Sequence, residues 1–271
     1  MLDAFAYPVS ALMLLWHHLL SLLSSPDSGV TWVATIVLLV CSVRLLLLRP
    51  GWNQLVAARR TALLKPQLQA LKRRHGADQQ AYVQAVRELH RSEGVGLASG
   101  VLPLLLQLPA ILGLYHLLID FTRPGAGSNG LFGVDQVHSF ASATMFGVPL
   151  SAAVRTSADV LAALRPGLTG VDVLWVLLPF LVVAAAATFV NGWRSLSRQP
   201  APGPDDGPLA DSLRRTGRAM VWLGPIALLV GGIAFPLPLA LAIYWAVNGT
   251  WTTVQTQLMT SRLDRRWPLP G

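Results

Sequence analysis

Cysteine, charge and acid are all scarce in this sequence. A single cysteine, Cys41, occurs among 271 residues. No disulfide can form within the chain, and no cysteine-based metal site is expected. Charged residues make up only 13%, about half the share found in ordinary soluble domains. Apolar residues make up 53%, and the mean hydropathy is +0.51. A soluble globule of this size could not hide that much apolar surface behind so few charges. Disorder is excluded as well, since it requires low hydropathy and high charge. The class that remains is an all-α integral membrane protein.

Reaction chemistry is missing too. The chain has no GxxxxGK[ST], HExxH, GxSxG or CxxC pattern, so none of the corresponding nucleotide, zinc, nucleophile or redox sites is expected. The histidines are scattered, and the one pair, His17 and His18, points to two different helix faces. Asp120 and Asp172 fall at the edges of apolar runs rather than inside them. An intramembrane hydrolase or a proton pump would need buried nucleophiles or acids. No enzyme activity, cofactor, metal or specific nucleic-acid partner is therefore expected.

What the sequence does have is long uncharged runs. Crossing a hydrocarbon core about 30 Å thick takes about 20 apolar residues. Segments 30–48, 94–119 and 172–193 meet that length, with Arg44 the only charge inside the first and Asp172 opening the third. Between Arg218 and Arg262 lie 43 uncharged residues, room for two spans at 219–235 and 237–260. The FPLP sequence at 235–238 marks the turn between them. Five spans result.

The connections alternate in charge. Segment 49–93 carries nine basic residues, 194–218 five and 261–271 three, whereas 1–29 carries none and 120–172 three. The positive-inside rule then puts the N-terminus outside and the C-terminus in the cytoplasm of a bacterial inner membrane. Residues 4–26 are uncharged, but Tyr7, Ser10, His17, His18, Ser21 and Ser24 gather near one helical face opposite Leu, Met and Trp. That pattern predicts an outer interfacial helix within 1–29, with a sixth span as the alternative. Segment 49–93 predicts a cytoplasmic pair of antiparallel helices, broken near Pro66, ended at His75 and Gly76 and restarted at Asp78. Segment 120–171 is the outer loop, whose apolar centre is expected to graze the membrane surface. Segment 194–218 is a Pro- and Gly-rich linker, and 261–271 a short basic tail.

Polar residues inside the spans are the candidate site. Arginine near mid-bilayer costs about 2.5–3.5 kcal/mol on insertion scales. Arg44 either marks a function or snorkels to the nearby headgroups. Gln107 lies between Pro103 and Pro109, and Asn191 closes the third span. In the fifth span Trp245, Asn248, Thr252 and Gln255 follow spacings of three, four and three. A polar stripe at that spacing must face protein or water.

Several ordered motifs carry a family resemblance: VRLLLLRP closing the first span, KPQLQALKRRHG in the hairpin, LPLLLQLPAILGLYHLL, LLPFL with Pro179, and FPLPLALAIYWAVNGTWTTVQTQL in the last span. With these, the chain resembles the YidC-type membrane insertases, of the actinobacterial kind, over about residues 30–119 and 172–260. The resemblance implies five core helices around a hydrophilic groove open to cytoplasm and lipid. Arg44 matches the family's groove arginine, and Asn191 falls at a position where relatives often carry a polar groove residue. Trp245 holds the aromatic place of the YW pair, and Gln107 matches a motif residue. Asn248 belongs with them through the stripe. The resemblance also implies a function: hydrophilic segments of nascent membrane proteins enter the groove, and apolar segments leave sideways into membrane lipids. A ribosome and a Sec translocon are the candidate further partners, although the tail is shorter than the ribosome-binding tails of some relatives. The competing readings are a small-solute or anion transporter and a structural subunit of a membrane complex.

Overall fold

The computed structural model describes residues 3–75, 78–92, 127–128, 130–198 and 208–266. The expected second span, 94–119, lies outside the described residues, and Gln107 with it. Nearly everything described is helical. In chain order the elements are α1 (Asp3–Ser21), α2 (Gly29–Leu46), α3 (Leu48–Leu63), α4 (Lys65–His75), α5 (Gln79–Ser92) and α6 (Val134–Ser142). A two-stranded hairpin follows, β1 (Thr144–Met145) and β2 (Val148–Pro149), and then α7 (Ala158–Leu164), α8 (Gly170–Ser197), α9 (Pro208–Ala234) and α10 (Leu239–Arg266).

Three of these helices are long and apolar enough to cross a membrane: α2, α8 and the Asp211–Ala234 part of α9. Helix α10 is equally long but carries the polar stripe, which lowers its hydropathy. It packs between α8 and α2, and α9 packs on the other side of α8. Small residues allow close approach there. A Cβ on Gly249 of α10 would lie 3.0 Å from Ala187 Cβ of α8, the kind of small-residue contact that lets membrane helices touch.

The helices run past the expected spans at three ends. Helix α8 continues to Ser197, α9 begins at Pro208 inside the expected linker, and α10 runs on to Arg266 in the expected tail. Charged residues end an apolar run without ending a helix. In the hairpin, α3 and α4 meet at Leu64, with Pro66 in the first turn of α4, where a missing N–H costs nothing. The Asp78 carboxylate accepts the N–H groups of Gln80 and Ala81 at 3.0 Å and caps α5.

Two departures concern segments 1–29 and 120–171, both expected on the outer side. The polar side of α1 is divided: Ser10 and His17 are buried, while Tyr7 and His18 are exposed, as are Leu15 and Leu19 of the opposite side. His17 stacks on Trp32 of α2 with centroids 3.8 Å apart, and Trp16 Nε1 donates to Ser42 Oγ at 2.9 Å. Ser10 and His17 thus pack on protein together with Val9 and Met13, whereas Tyr7, His18 and Leu19 lie on the surface. The outer loop likewise is no surface skimmer. Val137, Phe140, Leu150 and Ala152 from its apolar centre are buried in the main core. The hairpin tip is the exception. Phe146 and Gly147 both have positive φ, +52° and +78°, as a two-residue primed turn requires, and Phe146 is exposed.

The loop closes one end of the bundle through the backbone. The first N–H groups of α10 have no partner within their own helix. Leu239 N donates to Ala152 O at 2.9 Å and Ala240 N to Leu150 O at 3.0 Å. The core is densest beneath this seal. Trp32, Ile36, Leu39, Val173, Leu177, Leu181 and the run Leu239–Ile243 are almost fully buried. From Trp245 onward α10 is mostly half-buried or exposed.

Candidate functional site

The sparsely packed half of the bundle holds Arg44. It sits in the last turn of α2, three residues before the helix breaks at Leu47. Its guanidinium crosses to α10, where Asn248 Oδ1 accepts from Nε at 2.9 Å and from Nη2 at 2.6 Å. A guanidinium has five N–H donors, so three remain for water or a ligand. Among the described residues no carboxylate pairs with Arg44. Its acceptor on α10 is neutral and leaves the charge unpaired among the described residues.

Arg44 lines a recess of about 180 Å³ between the α2–α3 junction and α10. Gln54 enters from α3, and Thr252, Gln255 and Thr256 from α10. At about 30 Å³ per water, that volume holds several waters between these polar groups and the apolar Leu47, Pro50, Leu55 and Met259. The break at Leu47 produces this geometry. It turns the chain, so that α3 lies over the recess and brings Gln54 beside the residues of α10.

The expected site residues separate into groups. Asn248, Thr252 and Gln255 of the stripe meet Arg44 or its recess. Trp245, at the other end of the stripe, packs against the apolar core instead. Asn191 is half-buried on α8. It continues the row Ala184, Ala187, Arg194, Arg198, which faces α10 through Gly249 and through the bond from Arg198 Nη2 to Thr260 Oγ1. Gln54 and Thr256 were not singled out from sequence. Thr256 was findable, since it follows Thr252 by one helical turn. Gln54 was findable too, since Arg44, Leu47, Gly51 and Gln54 follow helical spacings of three, four and three through the junction.

Comparison with known proteins settles the family. Residues 23–266 match the model of the 60Kd inner membrane protein family. The chain belongs to that family. It is 34% identical to the membrane protein insertase YidC of Corynebacterium efficiens, over 99% of this chain and 70% of that protein. It is 30% identical to the membrane protein insertase YidC of Mycobacterium tuberculosis (strain CDC 1551), covering 97% of this chain and 74% of that one. The YidC of Mycolicibacterium paratuberculosis is also 30% identical, with 97% and 76% covered. Family membership and the apolar helices together make this an inner membrane protein.

Proposed function

We propose that this member of the 60Kd inner membrane protein family is a membrane protein insertase and that the Arg44 recess receives the hydrophilic segment of its substrate. The observation that carries the mechanism is a half-buried arginine with a neutral partner and three spare donors, set in a polar recess below a sealed outer half. Moving a polar segment through hydrocarbon is slow because each group must be desolvated. A wet recess shortens the dry path to the sealed half. The fixed positive charge attracts acidic segments and acts more strongly there than in bulk water. Apolar segments then leave into lipid, driven by their own burial. No bond chemistry is required.

The same reading counts five spans: α2, residues 94–119, α8, α9 and α10. It places the N-terminus outside and the basic connections in the cytoplasm. Phe146 and Trp175, both exposed near the sealed end, suit the aromatic girdle at the outer interface. Nascent membrane proteins and lipids are the partners. Ribosome or translocon contact would fall on the cytoplasmic hairpin.

The test is protease protection of two substrates, one acidic-tailed and one neutral-tailed, in cells depleted of the native insertase. Arg44→Ala is expected to impair the acidic-tailed substrate more. Arg44→Lys keeps the charge and loses the planar fork, so it should rescue in part. Asn248→Asp puts a carboxylate against the guanidinium and cancels its charge without removing a side chain. It should reproduce the selectivity of Arg44→Ala. Wild-type insertion of both substrates by Arg44→Ala would remove Arg44 from the mechanism.

A further inference from the structure

Behind the recess, on the next face of α10, lies a second and larger cavity of about 740 Å³. Its walls are Val247, Val254 and Leu258 of α10, Leu48 at the start of α3, and Phe180 and Val183 of α8. It shares Gln255 and Met259 with the recess, so the two cavities stand back to back. The indole N–H of Trp251 is satisfied by Gln255 Oε1 at 2.8 Å, which keeps the polar part of this wall internally paired. Arg262 stands at one end of the trough and brings its charge there.

We propose that this trough holds an acyl chain of an anionic phospholipid, with the headgroup phosphate on Arg262. The dimensions fit one chain. From Val247 to Leu258 the helix rises about 16 Å, close to the roughly 15 Å of one leaflet's hydrocarbon. Arg262 lies four residues further, about 6 Å on, where a headgroup begins. The volume also chooses the occupant. It falls in the range of about 300–1,000 Å³ that encloses small ligands. Arg265 and Arg266 lie on the same helix end and extend the positive field toward a negative headgroup. A chain in this position lies against Gln255 and Met259, and so gives the polar recess an apolar outer wall. The proposal rests on α10 crossing the membrane. It does not depend on what the Arg44 recess binds.

Native mass spectrometry of the purified full-length protein tests it, with phosphatidylglycerol and phosphatidylcholine of equal chain length. Wild type should retain phosphatidylglycerol about fivefold better, the factor that one cationic side chain near a membrane surface contributes. Arg262→Ala should bring the two lipids to parity. Val254→Trp, which fills the trough, should lose both. Arg218→Ala and Arg44→Ala should retain lipid as wild type does, the second separating this site from the recess. Unchanged retention in both Arg262→Ala and Val254→Trp would overturn the proposal, as would loss in Arg44→Ala. Displacement of the lipid by glycerol phosphate would show a headgroup site without a chain. Displacement by an apolar peptide, with no lipid recovered in its absence, would make the trough a substrate surface. Either result would also overturn it.

Discussion

Trp32 shows how much one side chain can organise. Fully buried in α2, it stacks on His17 of α1, meets Phe140 edge-on at 5.2 Å and Phe132 at 6.0 Å, and donates from Nε1 to Ser139 Oγ at 3.1 Å. Three separate segments of the outer face are thus tied to one indole. Trp32→Ala should cost about 3–5 kcal/mol, and Trp32→Phe clearly less, read as thermal unfolding in detergent. A loss below about 1 kcal/mol for the alanine variant would mean the outer face is held elsewhere. Arg44 is the opposite kind of residue. Its bonds to Asn248 are few, its charge is unpaired among the described residues, and its surroundings are polar. Its replacement should therefore change substrate selectivity much more than stability. Interhelical hydrogen bonds in membranes average only about 0.6 kcal/mol.

At the scale of elements, the outer loop is structural and α3 is positional. The loop supplies backbone acceptors for the start of α10 and contributes buried side chains to the core. Its close approach to α2 depends on one glycine. A Cβ on Gly29 would sit 1.8 Å from the Thr144 carbonyl oxygen, and backbone on backbone cannot yield as a flexible side chain can. Gly29→Ala should push β1 away from α2 and loosen the seal, at a cost of about 1–3 kcal/mol. The readout is limited proteolysis from outside, where cleavage within 130–168 should be faster than in wild type. Unchanged cleavage would show that the loop can shift as a unit. Helix α3 reaches the same bundle from the other side. Its Arg59 Nη2 lies 2.8 Å from Asp264 Oδ1 at the end of α10. The carboxylate is largely exposed, so the pair contributes at most about 0.2–1 kcal/mol. It orients the hairpin over the recess more than it stabilises it.

The described part of the molecule is asymmetric along its helix axes. A dry half, sealed by the outer loop, stands over a half with a polar recess and a basic hairpin. The orientation is checked by cysteine labelling in a Cys41→Ser background. Probes at Gln79 and Pro202 should react from the cytoplasm, and one at Ser128 from outside. Labelling of Ser128 only from the cytoplasmic side would invert the molecule. A probe at Ala4 tests α1, since cytoplasmic reaction there would make it a sixth span.

Composition alone determined the membrane class, because so few charges cannot clothe so much apolar surface. Run lengths located α2, α8 and α9, because hydrocarbon thickness sets the length of a spanning helix. Ordered motifs pointed to the family, and helical spacing put Asn248, Thr252 and Gln255 on one face with a reason to be there. These are one-dimensional quantities, and a linear chain displays them directly. Which residues meet across the bundle was decided only by the tertiary structure. Spacing could not pair Arg44 with Asn248, which lie 204 residues apart. Nor could it send Trp245 to the core while Thr252 faced the recess, or bring Gln54 of α3 beside α10. Spacing also left open where Ser10 and His17 of α1 and the apolar centre of the 120–171 loop would go. A hydrophobic pattern says that a face must be matched, but not whether water, lipid or another part of the chain will match it. In this protein the chain itself buries Ser10 and His17 together with Val137 and Phe140, because the loop packs onto α2 and the start of α10.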